Sequence, residues 1–204
     1  MKMRWFRKKA EPPGVAAVQT ARRIGEGLWE PLPLPLRPAE AELYEGLREA
    51  VPIIDAALQK IVRLSSGFRL QCSTGEGQRL LERFRREVPV GSGGVGLDRF
   101  LSCYLMSLLT YGSAVGEMVL SPDGERVAAL YLSDLRDLAL GRGENPLDTR
   151  ILLERPGGAG PLPYPELVLF SALDPEPGEA AGRSLLRGLP FLSSVLMELS
   201  RALG

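Results

Sequence analysis

Residues 98–132 read DRFLSCYLMSLLTYGSAVGEMVLSPDGERVAALYL. In the first half of this stretch, apolar residues recur at the three- and four-residue spacing of a helix and leave a narrow polar edge. Asp98 stands where a helix N-cap is expected. We therefore predict a helix that is buried on more than one side. Its apolar positions are Phe100, Leu101, Tyr104, Leu105, Leu108 and Leu109, and its edge is Ser102, Met106 and Ser107.

The second half of the same stretch predicts a β-hairpin. Gly112 and Gly116 bracket the step from the helix into a strand at 115–120, where small residues allow backbone to pack closely against backbone. The tetrapeptide Ser-Pro-Asp-Gly at 121–124 has the composition of a tight turn, and the chain returns as a strand at 126–132. A helix followed by an antiparallel hairpin indicates an α+β fold.

An amphipathic helical pattern begins at Glu40. Pro52 interrupts it, because proline lacks an amide donor and crowds the preceding turn, so we predict two helices with Pro52 in the first turn of the second. Gly67 is the predicted C-cap. The stripe expected to face a core consists of Leu43, Leu47, Val51, Ile54, Leu58, Ile61 and Leu64.

A short strand at 68–72 and a charged helix at 77–87 are predicted next, with Leu80, Leu81 and Phe84 pointing inward. Arginines on the outward face could contact phosphates, but the same pattern is typical of an ordinary solvated helix face. The arginines in question are Arg79, Arg83, Arg85 and Arg86, together with Arg22 and Arg23.

Further strands are predicted at 151–153 and 167–170, separated by a loop at 156–161. Four prolines, at 156, 161, 163 and 165, precede the second of these strands and indicate that it lies at a sheet edge. From about residue 184 to 203 leucines recur at helical spacing, and Pro190 is predicted in the first turn of a final helix.

The glycine-rich segment Gly91–Gly96 matches the G-x-G-x-x-G pattern that brings backbone amides against a pyrophosphate. Glu117 follows about twenty residues later, near where a ribose-binding acid is expected. However, a dinucleotide site requires a buried strand directly before the loop, and only Val-Pro-Val at 88–90 precedes it. A flexible loop between helices is the favoured interpretation, and a small nucleotide-binding enzyme is the alternative.

Composition argues against most enzyme classes. The chain has 204 residues and no histidine, which removes histidine-based catalytic dyads and triads and most imidazole zinc sites. Lysine plus arginine equals aspartate plus glutamate at 25 each, so no global basic field attracts nucleic acid. Cys72 and Cys103 are not spaced as metal ligands and are expected to be reduced and partly buried. We expect a protein that is not an enzyme.

Two sets of acidic residues are weak candidates for metal sites. Asp134 with Asp137, or Asp174 with Glu176 and Glu179, could ligate Mg²⁺ or Ca²⁺ through oxygen, but neither set has a recognised loop geometry. Solvated acids in connecting loops are the favoured interpretation, and we assign no catalytic, cofactor or metal residues. The uncharged run at 100–116 is slightly short for a membrane span, so a buried helix running into a strand is preferred.

The first 39 residues are rich in proline and glycine, which predicts a flexible arm. Pro31–Pro38 favours polyproline II, and a spacer is the favoured interpretation. The alternative is that the chain is a monomeric interaction module that binds an aromatic groove of a host protein through this segment. The start of the chain is basic but is not followed by the apolar run of a signal peptide, so we expect a product that is not exported.

Five segments, in order, resemble the amino-terminal half of tailed-phage portal proteins. They read LYEGLREAVPIIDAA at 43–57, LSSGF at 64–68, YGSAVGE at 111–117, DPEP at 174–177 and SLLRGLPFL at 184–192. The resemblance covers residues 40–204 and implies an α+β, wing-like domain of helices with a small antiparallel sheet. Portal chains continue after the last of these segments into the stem and channel, so the chain resembles a portal protein truncated at its carboxyl end.

The resemblance also implies a structural role in the virion, with assembly in the host cytoplasm. Portal proteins form a homo-oligomeric ring at one capsid vertex, through which double-stranded DNA is packaged and ejected. Their partners are the terminase large subunit, the capsid and the head–tail connector proteins, with no membrane involved. The segments that line the channel lie beyond the matched region, so no DNA-contact residue carries over to this chain.

Overall fold

The computed structural model describes residues 38–142, 149–155, 158–177, 179–192 and 201. Within these ranges, helices and two β-sheets form the α+β fold predicted from the sequence. The predicted arm at 1–39 lies outside the described residues except at its end, where Pro38 begins the first helix.

The helices are α1 (Pro38–Ala50), α2 (Pro52–Ser65), α3 (Gly75–Glu87) and α4 (Leu97–Tyr111), and short 3-10 turns occupy Leu135–Asp137 and Pro165–Leu167. The first four strands are β1 (Pro89–Val90), β2 (Gly94–Val95), β3 (Ser113–Leu120) and β4 (Val127–Leu132). The remaining strands are β5 (Leu138–Arg142), β6 (Thr149–Arg155), β7 (Gly158–Pro161) and β8 (Val168–Ala172).

The larger sheet has the strand order β2-β1-β4-β3-β8, and the smaller sheet has the order β5-β6-β7. All strand pairs are antiparallel except β1 with β4, which are parallel, so the larger sheet is mixed. Among the described strands, β8 pairs with β3 alone, and this confirms the edge position predicted from the prolines before it. Residues 158–161, predicted as loop, instead belong to β7, which pairs with β6.

The break between α1 and α2 is confirmed. Pro52 occupies the first turn of α2, where its missing amide costs no hydrogen bond. The predicted C-cap at Gly67 is wrong, because α2 ends at Ser65 and Ser66 is its cap. Both the amide and the hydroxyl of Ser66 donate to the Val62 carbonyl, at 3.0 and 2.7 Å.

The predicted apolar stripe of α1 and α2 is only partly buried. Leu58 and Val62 are buried, whereas Leu43 and Leu64 are 45% and 70% exposed. Because consecutive residues turn by about 100° around a helix, Leu64 lies far around α2 from Val62 and cannot share its contact with α4.

The predicted strand at 68–72 is wrong, because these residues form no ladder in the structure. Without a strand to shelter it, Cys72 is exposed, contrary to expectation, whereas Cys103 is half-buried as expected; both thiols are free. Helix α3 begins earlier than predicted, with the Thr74 hydroxyl capping it by accepting from the Gly77 amide. Leu80, predicted to point inward, is 58% exposed.

Helix α4 is buried on several sides, as predicted. Residues 100–110 contain no exposed side chain. Its predicted polar edge is covered too, since Ser107 is buried and donates to the Ser113 carbonyl. The N-cap is Gly96, so the prediction of Asp98 as the cap is wrong, and the Asp98 carboxylate instead accepts from Arg85. No helix within the described ranges is both long and apolar enough to cross a bilayer.

The hairpin of β3 and β4 is confirmed, with the turn at 121–124 closed by the Gly124 amide donating to the Ser121 carbonyl. One face of β3 packs on α4: Ala114 and Met118 join Phe100 and Tyr104 in a core cluster. Val115, on the opposite face, joins a second cluster that covers the smaller sheet. The hairpin therefore lies between the helical layer and the smaller sheet.

The last described segment returns to the helices. Leu186 is buried in a third cluster with Tyr44 of α1 and Leu58 of α2. Residues 189–192 are helical, which agrees with the prediction that Pro190 starts a final helix. The remainder of that predicted helix lies outside the described residues apart from residue 201, which is also helical.

Gly116→Ala is expected to destabilise the fold by about 1–3 kcal/mol. A Cβ at this position would lie 2.5 Å from Cζ of Phe100, in the contact between β3 and α4. Gly46→Ala is the matched control: its Cβ meets no atom within 4 Å, and alanine in a helix should stabilise by about 0.5–1 kcal/mol. Urea denaturation of both variants checks this, and equal effects of the two substitutions would contradict the packing described.

Candidate functional site

A cleft of about 710 Å³ opens between the three helices α1, α2 and α4 and the chain that leaves β4. This volume falls in the range of small-molecule sites. Its walls combine apolar side chains with charged and phenolic groups. The residues used below are Glu45, Arg48, Arg63, Arg99, Tyr111 and Arg136.

Arg48 fixes one end of the cleft by joining all three helices. Its Nε and one terminal nitrogen both donate to Oδ1 of Asp55, at 2.9 and 2.7 Å, and its other terminal nitrogen donates to the Thr110 hydroxyl at 3.4 Å. The hydrogen bond from Arg48 lowers the pKa of Asp55, and a further bond from Gln59 adds to the effect. The ion pair thus joins α1 to α2, and the hydrogen bond to Thr110 connects this corner to the end of α4.

Tyr111 and Glu45 meet at the same end. The Tyr111 hydroxyl donates to Oε1 of Glu45 at 2.6 Å. Burial raises the pKa of Tyr111, and the hydrogen bond and charge of Glu45 raise it further. The phenol therefore stays protonated at all ordinary pH values and serves as a fixed donor to the carboxylate.

Asp134 and Arg136 form a local pair on the opposite wall. Arg136 donates through Nε and a terminal nitrogen to the two carboxylate oxygens of Asp134, at 3.0 and 2.8 Å. The Asp134 carboxylate also accepts from the Arg136 amide and so caps the 3-10 turn. Hydrogen bonding to Arg136 lowers the pKa of Asp134. The carboxylate is committed to this turn rather than to a shared site with Asp137.

The second acidic set is held in the same way. Arg183 donates to Asp174 and Glu176, in both cases at 2.6 Å. Within the described ranges, no group of three or more acidic or cysteine side chains is arranged to hold a metal ion. Asp134, Asp174 and Glu176 are thus paired with arginines in two separate places.

The glycine-rich segment forms the small hairpin of β1 and β2. Its first and last amides are used within the fold: Gly91 donates to the Leu130 carbonyl at 2.9 Å, and Gly96 donates to the Val88 carbonyl at 2.7 Å. The strand before it has two residues. Glu117 is 2% exposed and lies on the face of β3 that points away from α4. Glu117 therefore does not lie on the face of β3 that packs against α4, the helix that follows the glycine segment.

The arginines of α3 are spread around a mixed helix. Arg85 donates to both oxygens of Asp98 and lies over the Phe68 ring, 5.4 Å from its centroid. Three acids share the helix with its four arginines, so it presents no concentrated positive charge. Arg22, Arg23 and most of Pro31–Pro38 lie outside the described residues.

The sequence did not reveal the cleft. Its charged groups come from segments far apart in the chain, and each side chain has an ordinary surface pattern when considered alone. The one local signal was the seven-residue spacing of Arg48 and Asp55 across Pro52, which becomes a contact only when the helices fold back on each other.

Comparison with known proteins gave no identification. No family model matches the chain, and no curated protein matches it with significance.

In Tyr111→Phe, the free energy of unfolding is expected to fall less steeply at alkaline pH than in the wild type. Unfolded tyrosine releases its proton near pH 10, whereas folded Tyr111 holds its proton to higher pH. Its contribution is therefore complete below about pH 10 and is lost as the pH rises further. Unfolding free energies of both proteins from neutral pH to pH 11 measure this. Tyr164→Phe, which alters an exposed ring, is the control; equal pH slopes for all three proteins would contradict the role of the Tyr111–Glu45 bond.

Proposed function

We propose that this chain is the wing-forming part of a portal protein of a tailed phage. In this role it is a structural subunit of the ring at the capsid vertex, through which double-stranded DNA is packaged and ejected. Its partners would be other copies of itself, the terminase large subunit, and the capsid and connector proteins. The proposal rests on five sequence segments that resemble portal proteins and occur in the same order.

The observation that carries the proposal is that three of these segments, at 43–57, 111–117 and 184–192, are distant in sequence but lie in one packed unit. Tyr44 belongs to the first segment and Leu186 to the last, and both are buried in one cluster with Leu58. The Ser184 hydroxyl donates to the Thr110 carbonyl at 2.5 Å, and the Leu185 amide donates to the Leu109 carbonyl at 3.1 Å. The first and last segments of the resemblance therefore belong to one packed unit, whereas those at 64–68 and 174–177 lie mostly at the surface.

The segment Tyr111–Glu117 supplies the centre of this unit. It ends α4, turns at Gly112 and becomes the first part of β3. The Gly112 carbonyl accepts from the Leu173 amide at 2.8 Å, directly before the fourth segment. The Ser113 hydroxyl accepts from the Gly182 amide at 3.1 Å, two residues before the fifth segment begins.

The surface of the helical layer also suits a subunit of an assembly. Ile53 and Leu64 of α2 are 77% and 70% exposed, and Phe191 in the last described segment is 76% exposed. Ile53 and Leu64 share one face of α2, which leaves an apolar helix face open to contact with another protein surface. Balanced charge on the chain agrees with a role in protein assembly rather than direct attraction of DNA.

The purified product of the complete reading frame that encodes this chain is expected to assemble into closed rings with a central channel. Negative-stain electron microscopy detects the rings, and sedimentation velocity gives the size of the assembly. A heterologous contact that closes on itself produces such rings. Monomers over a wide concentration range, with no rings on the grid, would contradict the proposal.

A further inference from the structure

The charges of the cleft are not evenly distributed along its length. At one end, Arg48 contacts Asp55 near the start of α2 and Thr110 near the end of α4. Both helices line the cleft from this corner onward, as far as Arg63 on α2 and Arg99 on α4. At a rise of about 1.5 Å per residue, these arginines lie about 12 and 17 Å along their helices from the corner.

The corner end is electrically compensated. Arg48 is paired with Asp55, and Arg136 is paired with Asp134. Glu45 adds one negative charge there and accepts a hydrogen bond from the Tyr111 hydroxyl. An anion would therefore gain little at this end of the cleft.

The other end carries the unpaired positive charge. Neither Arg63 nor Arg99 forms an ion pair with a carboxylate in the described part of the chain, and Arg63 donates only to the Gln59 side chain, at 3.3 Å. Asp98, next to Arg99, is already engaged by Arg85. Among the described residues around the cleft, four arginines face the three carboxylates of Glu45, Asp55 and Asp134, which leaves one net positive charge.

The wall between the two ends is suited to an apolar body. Val62 of α2, Met106 of α4 and Leu132 of β4 line it, and Tyr131 adds an aromatic ring. Ligand sites commonly combine such apolar walls with a few charged groups that fix orientation.

We propose that this cleft binds an organic monoanion, with its charged group between Arg63 and Arg99 and its apolar or aromatic body along Val62 and Met106. The inference goes beyond the portal role and does not depend on it, since the cleft lies within a single chain. One negative charge neutralises the excess on the walls, and the guanidinium groups offer paired donors suited to a carboxylate, sulfonate or phosphate ester.

The fluorescent probe 8-anilinonaphthalene-1-sulfonate tests this directly, because it is an aromatic monoanion. Fluorescence titration of the wild-type chain should show one saturable site. The double variant Arg63→Gln/Arg99→Gln should weaken the affinity by about fivefold or more, since each exposed charge contributes modestly. The matched control Arg83→Gln/Arg86→Gln removes two exposed arginines of α3 outside the cleft and should leave the affinity unchanged.

N-phenyl-1-naphthylamine, which has a similar aromatic body without the sulfonate, separates charge from apolar contact. Its affinity should be the same in the wild type and the cleft variant, and thermal melting should show that both double variants remain folded. Absence of saturable sulfonate binding would overturn the proposal. So would an unchanged sulfonate affinity in the cleft variant, or an equal loss of affinity for the neutral dye.

Discussion

The chain reversal at Gly112 is the constraint on which the rest of the structure depends. Gly112 ends α4 in the left-handed conformation, with φ of 79°, and its amide donates to the Leu108 carbonyl at 2.9 Å. Glycine is required there for two separate reasons. A side chain would be strained at this φ, and a Cβ would also overlap the backbone of Gly182 and Arg183. The reversal lays β3 against α4 and leaves room for the returning chain.

Three parts of the molecule are joined at this point. Burial of Ala114 and Val115 on the two faces of β3 connects the helical layer to the smaller sheet. The returning chain places Leu186 against α1 and α2, which completes the third cluster. The cleft lies beside the same junction, because Tyr111 is the last residue of α4 and donates to Glu45 of α1. Its charge pattern is therefore a consequence of how the helices converge on the reversal.

Local patterns in the sequence predicted where helices, strands and turns lie better than they predicted which side chains are buried. Pro52 and the turn at 121–124 were predicted correctly, because their covalent restrictions act wherever they occur. Leu64 and Leu80 were expected inside and are exposed, because burial depends on which helix face meets a neighbour. The strand β7 has a glycine-rich sequence and is held by pairing with β6, which periodicity cannot detect. The cleft could likewise not be predicted from local sequence, because segments distant in the chain form it.

Amide hydrogen exchange of Gly112→Ala, compared with Gly124→Ala, tests the central role of the reversal. Both glycines have positive φ, at 79° and 74°, but a Cβ at Gly124 meets no atom within 4 Å. Both variants therefore carry similar backbone strain, and only Gly112→Ala disturbs the junction. We predict that the amides of Leu173, Arg183 and Leu185 lose protection in Gly112→Ala and keep it in Gly124→Ala. Equal protection of these amides in the two variants would contradict the account.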